Sequence, residues 1–182
     1  MKLRLTREQM LAEWKMRRHL EPPRTDAVWV RGDGPAVDAY CEAEMRSRYV
    51  RLLATAPIEC LATTDVTLSA SLKRMEAGRA VVTLPEGTVR VAEVKLPGWE
   101  RNAEIITDRH DPRVRLQGNR FSCGGTVHPI AVWTGGNAME LFSMSSPMSS
   151  ALMDRLLVVL DEGPEVYAFD ERAWEMLMDD NY

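Results

Sequence analysis

Cys123, Gly124, Gly125 and His128 crowd into the stretch "SCGGTVHP", and together they hold the parts of a nucleophilic site. A thiolate needs a base within hydrogen-bond reach, so His128 or His110 is the candidate partner of Cys123 for a cysteine-dependent hydrolase. The backbone N–H groups of Gly124 and Gly125 could face a developing oxyanion. The same residues have a purely architectural use. Paired glycines bend the chain into a strand opened by Pro129, and His128 is restricted by the proline that follows it. Spacing favours this second use, because nothing in the sequence itself brings the thiol and an imidazole together.

Other chemistries lack their signatures. A tetrahedral zinc site draws on four ligands with close pairs, and three His and three Cys without a tight pair do not supply them. No glycine-rich phosphate loop, HExxH or GxSxG occurs. The acid pairs Asp161–Glu162 and Asp179–Asp180 sit in turn or terminal contexts where solvation accounts for them. No residue is assigned a catalytic, cofactor-binding or metal-ligating role. An RGD triplet at Arg31 to Asp33 is too short to argue integrin binding, and nothing suggests export.

Composition narrows the class. At 182 residues, with 45% hydrophobic and 27% charged side chains, the chain can bury a sizeable core without disulfide or metal support. The apolar run "LLVVL" falls well short of the roughly 20 residues that a membrane span requires. The first 20 residues are interrupted by charge, unlike a secretory signal, so synthesis in the cytoplasm is expected. Cys41, Cys60 and Cys123 are odd in number and widely spaced, which argues for free thiols.

The net charge of −4 is unevenly placed. Residues 1–24 carry seven Lys or Arg against three Glu, whereas residues 161–182 carry eight acids against Arg172 alone. Two solvated helix faces would explain this. A sharper reading has the oppositely charged ends meet, within one chain or between copies. The basic first helix could also touch a phosphate, although no stripe of Lys and Arg interleaved with aromatics marks a nucleic-acid surface.

These residues must be positioned by an α+β fold: an N-terminal helical pair, a mainly antiparallel β-sheet or small barrel, and a C-terminal helix. Thr6 and Gln9 spell a capping box, opening a helix that Pro22 and Pro23 stop near Leu20. Pro35 opens a second helix whose stripe is Val37, Tyr40, Cys41, Met45, Tyr49, Leu52, Leu53 and Ala56. Beyond Pro57 the period becomes alternating, and "DVTLSASL" at 65–72, "RAVVTLP", "TVRVAEVKL" and "AEIIT" read as strands, with "EAGR" as a hairpin loop. Asp111 and Pro112 start a short helix closed by Gly118. "HPIAVW" and "AMELFSM" form a hairpin over Gly135, Gly136 and Asn137, and "SSPMSS" is a loop. "LLVVL" and "EVYAF" add strands, and Asp170 caps the last helix. The chain reads as a single domain with a helical part at 1–57, a β-rich part at 58–169 and a terminal helix at 170–182. Trp14, Trp29, Trp99, Trp133 and Trp174 fall one per element, as core or interface anchors do. A small ligand-binding barrel would need an apolar cavity near Trp99 and Trp133.

The segments "VVTLPEGTVRVAEVKLPGWERNAEIITD", "NRFSCGGTVHPIAVWTGGNAMELFSM" and "LLVVLDE" resemble the head-to-tail adaptor, or gateway, proteins of tailed phages and prophages. The resemblance is carried by Leu84 and Pro85, by Val91 to Trp99 and by Pro129 to Leu141. It implies a non-enzymatic virion subunit that forms a homo-oligomeric ring between portal and tail proteins. DNA would then pass without sequence recognition, and no membrane would be involved. Such a ring uses heterologous contacts between unlike patches.

Overall fold

The computed structural model describes residues 1–19, 37–75, 78–119, 121–143 and 153–179. Trp29, the RGD triplet, Pro22, Pro23, Pro35 and the "SSPMSS" loop lie outside them. In chain order the elements begin with β1 (Lys2–Thr6), α1 (Arg7–Arg17) and α2 (Val37–Thr55). The strands β2 (Thr63–Asp65), β3 (Ser71–Arg74), β4 (Ala80–Thr83), β5 (Thr88–Lys95) and β6 (Glu104–Ile106) follow. Then come α3 (Pro112–Leu116), β7 (Ile130–Val132), β8 (Ala138–Leu141), β9 (Arg155–Leu160), β10 (Val166–Asp170) and α4 (Ala173–Met178). The class is α+β as expected.

Two compact units form. One comprises Met1–Ala62 with Asp161–Tyr182, the other Thr63–Leu160. The boundaries differ from the expected divisions at 57 and 170, because the C-terminal strand β10 belongs with the N-terminal helices.

In the first unit β1 pairs antiparallel with β10, Lys2 opposite Asp170 and Thr6 opposite Val166. β1 has no counterpart in the sequence reading: Lys2 to Thr6 alternate polar and apolar, but five residues ahead of a strong helix signal are too short to mark a strand by themselves. The capping box of Thr6 and Gln9 is present at the start of α1, which ends earlier than expected, at Arg17. Along α2, Cys41, Met45, Tyr49, Leu52 and Leu53 are buried. Val37 and Tyr40 depart from the expected stripe, at 66% and 71% exposed. Tyr40 lies one helical step, about 100°, from the face that Cys41 begins, and Val37 sits in the first turn.

Tyr49 ties helix to strand. Its hydroxyl donates to the Ala168 carbonyl at 3.2 Å and accepts from the Ala168 N–H at 2.9 Å. Its ring meets Tyr167 edge-on with centroids 4.8 Å apart, and Phe169 meets Trp174 at 5.0 Å. Burial pushes the Tyr49 hydroxyl up to about 12. Around this core the charged ends do meet, within one chain. Arg4 pairs with Glu162, Arg7 with Glu165 at 3.7 Å, and the N-terminal ammonium with Asp170 at 3.3 Å.

Asp170 does not cap α4 as expected. Its carboxylate accepts from the Arg172 N–H at 3.1 Å and the Arg172 guanidinium at 2.7 Å, closing an Asx turn, while the helix starts one residue after Arg172.

The second unit holds two open sheets, of order β2-β9-β5 and β3-β4-β8-β7-β6, antiparallel throughout except where β6 runs parallel to β7. There is no closed barrel, so that alternative is corrected: β3 and β6 end opposite edges of the five-stranded sheet without pairing. Both sheets feed one apolar cluster that includes Val82, Val94, Met139, Leu141, Leu156 and Val158. Trp99 and Trp133 belong to this cluster and are 4% and 7% exposed, so they fill the core where the barrel reading needed a cavity. With Trp14 and Trp174, four of the five tryptophans are the anchors expected.

The expected strand at 65–72 is interrupted. Asp65 accepts from the Thr67 N–H at 3.0 Å and from its hydroxyl at 2.6 Å, and Val66 O takes the Ser69 and Ala70 amides. A turn therefore separates β2 from β3, and Leu68 is 99% exposed. Alternation cannot distinguish a strand from a short turn whose own side chains close it.

Candidate functional site

β7 carries the region of interest on its outer face. Strand alternation sends Ala131 into the shared core and Ile130 and Val132 to the opposite side, where they pack with Ile106 and Phe142. Val114 of α3 covers this second cluster. The helix forms for the expected reasons: Pro112 occupies its first turn, and the Asp111 carboxylate accepts from the Arg113 N–H at 2.8 Å. The Arg113 guanidinium beside it holds the Asp111 carboxyl down at about 2, and the Arg113 pKa is raised in return by Asp111 and Glu104.

The stretch after α3 then turns back toward β7. Gly124 O accepts from the His128 N–H at 3.1 Å. A side chain at Gly124 would meet the His128 carbonyl oxygen at 2.4 Å and its Cβ at 2.7 Å. The neighbouring Gly125 adopts φ +57, the left-handed region, with open space around it. Both glycines are thus required by the turn, one for lack of room and one for backbone conformation.

The three candidate catalytic side chains are distributed. Cys123 is half-buried and lines a depression of about 850 Å³ on one side of α3. His128 lines a separate depression of about 540 Å³, with Gly124, Arg101 and Arg113. His110 lines neither; its backbone N–H is held by the Asp108 carboxylate at 2.8 Å. Cys41 and Cys60 are buried free thiols. Among the described residues no cluster of three or more His, Cys, Asp or Glu could hold a metal ion, and no helix is long and apolar enough to cross a membrane. Of the acid pairs noted in the sequence, Asp161–Glu162 has ordinary partners, Asp161 with Arg46 at 2.6 Å and Glu162 with Arg4; Asp180 lies outside the described residues.

The Cys123 depression holds something that sequence reasoning missed. Arg79, Arg109 and Arg115 converge there from positions up to 36 residues apart, with Glu140 as the one carboxylate among the described residues of its wall. Glu140 pairs with Arg109. Ser143, also on the wall, has φ +66, and its carbonyl accepts from the Trp99 indole at 3.1 Å. No motif could have signalled this grouping, because Arg79 lies beside the β3–β4 hairpin, Arg109 precedes α3 and Arg115 lies within it.

No protein-family model matches this chain, and no curated protein matches it.

Proposed function

We propose that this chain is a non-enzymatic structural subunit that assembles with copies of itself, as a head-to-tail adaptor ring between a phage portal and tail would. The observation that carries the reading is the separation of Cys123 and His128 into different depressions, with Gly124 closed against His128. A cysteine hydrolase needs those two groups on one substrate.

A surface fit for self-association accompanies it. Lys15 of α1 and Asp38 of α2 are joined at 2.5 Å, and Met16 and Val37 are their chain neighbours. These two residues and Tyr40 are 54%, 66% and 71% exposed. Exposed apolar side chains set among charged ones favour a protein contact. At the chain ends, by contrast, Arg4, Arg7 and the N-terminal ammonium already have acidic partners within one subunit.

Light scattering of the purified protein, alone and with a portal ring, tests the proposal. A multimer, or uptake onto the portal, is the expected result, lost in Tyr40→Glu while the melting temperature stays unchanged. A strict monomer that ignores the portal would overturn it.

A further inference from the structure

The geometry points to the arginine-lined depression beside α3 as a binding groove for the phosphate backbone of an unpaired nucleic-acid strand. The inference goes beyond the assembly reading and stands whether or not a ring forms.

Three observations carry it. First, the groove is basic in an acidic protein: among its described lining residues Arg79, Arg109 and Arg115 face one carboxylate, Glu140, in a chain of net charge −4. Second, the arginines are unequally occupied. Arg109 is paired to Glu140, whereas no carboxylate among the described residues lies within ion-pair distance of Arg79 or Arg115. By comparison Arg113, on the other side of α3, is saturated by Asp111 and Glu104. Two guanidinium groups with no carboxylate partner among the described residues, on the wall of a groove of about 850 Å³, favour an anion that each can grip as a fork. Third, Phe121 is 95% exposed and lies between two wall residues, three positions after Gly118 and two before Cys123. A ring exposed in this way is free to stack on a base, and every base has a face to offer.

The combination selects the ligand class. An acidic peptide would satisfy the guanidinium groups and leave Phe121 without a flat partner. A duplex presents phosphates and hides its base faces. An unpaired strand presents both. Gly78, Gly118 and Gly125 leave the wall without side-chain cover at three points, where a backbone of linked phosphates can approach closely.

Fluorescence anisotropy with labelled oligothymidine of about 20 nucleotides tests this on the full chain. Binding should weaken by about sevenfold between about 50 and about 200 mM salt, as two phosphate contacts on a single strand require. Arg79→Ala and Arg115→Ala should each weaken it by about three- to tenfold, and Phe121→Ala by about fivefold or more. Glu140→Gln should strengthen it by about threefold, by freeing Arg109. All four changes touch exposed or groove-wall groups, and an unchanged melting temperature confirms folding in each variant. The proposal is overturned if oligothymidine does not bind, if the arginine variants bind it as tightly as the parent, or if a duplex or polyglutamate of equal length binds as well.

Discussion

Replacing Gly124 with alanine tests whether the glycine pair serves the turn. The added Cβ would stand 2.4 Å from the His128 carbonyl oxygen and 2.7 Å from its Cβ, distances that real side chains do not tolerate. The obstructing atoms are backbone and the root of a side chain, so no flexible tip can swing aside. Forcing a methyl group into such a site costs about 1–3 kcal/mol. Displacing His128 also strains the 3.1 Å bond from its N–H to Gly124 O, a further contribution of about 1 kcal/mol. The expected total is about 2–4 kcal/mol, or a fall in melting temperature of about 4–16 °C for a chain of this size. Calorimetry supplies the measurement, and faster hydrogen exchange at the His128 amide localises the effect. Gly118→Ala is the control: its nearest neighbour would be Arg115 O at an ordinary 3.5 Å, so the variant should be neutral or slightly more stable. If Gly124→Ala melts with the parent, the turn has slack, and the glycine pair is again free to be read as oxyanion donors.

Two predictions concern the first unit. Tyr49→Phe leaves both backbone groups of Ala168 without the hydroxyl and should lower stability at neutral pH by about 1–3 kcal/mol in urea unfolding. Because the folded-state pKa of about 12 exceeds the ordinary value near 10, this stabilisation is complete below about pH 10 and lost as pH rises through about 12. The gap between parent and variant should close over that window; a constant gap would refute the assignment. Asp170 has the opposite sign. The Arg172 side chain and N–H, with the N-terminal ammonium, hold its carboxyl at about 2, so its stabilisation is present above the ordinary carboxylate value near 4 and lost as pH falls through about 2. Asp170→Asn should raise the pH of acid unfolding followed by circular dichroism; an unmoved midpoint would refute it.

Legibility in the sequence tracked the range of the forces involved. The capping box at Thr6, the Asp111–Pro112 helix start and the Gly135–Gly136 turn, with φ of +98 and +76, are settled by residues within four positions of each other. The buried face of α2 was visible because one period ran for five turns. What failed depended on partners far along the chain or on side chains that mimic backbone. β1 is a strand because β10, some 160 residues later, offers it an edge. The break at Thr67 exists because Asp65 satisfies the amides that a neighbouring strand would have taken. The arginine groove shares both difficulties, since Arg79 and Arg115 meet only through the five-stranded sheet and the helix laid on its outer face.

The closure of the chain on itself also changes what its charge asymmetry means. Seen along the sequence, a basic beginning and an acidic end suggest copies joined head to tail. In the fold part of this charge meets within a subunit, Arg4 with Glu162, Arg7 with Glu165 and the N-terminal ammonium with Asp170, while Lys15, Arg17 and Arg18 pair with acids of the helices. An assembly held by the ends would dissolve in salt and would require β1 to leave β10. An assembly held by Met16, Val37 and Tyr40 requires neither, because burial of apolar surface is not weakened by screening ions. If a multimer forms, its persistence at high salt therefore distinguishes the two.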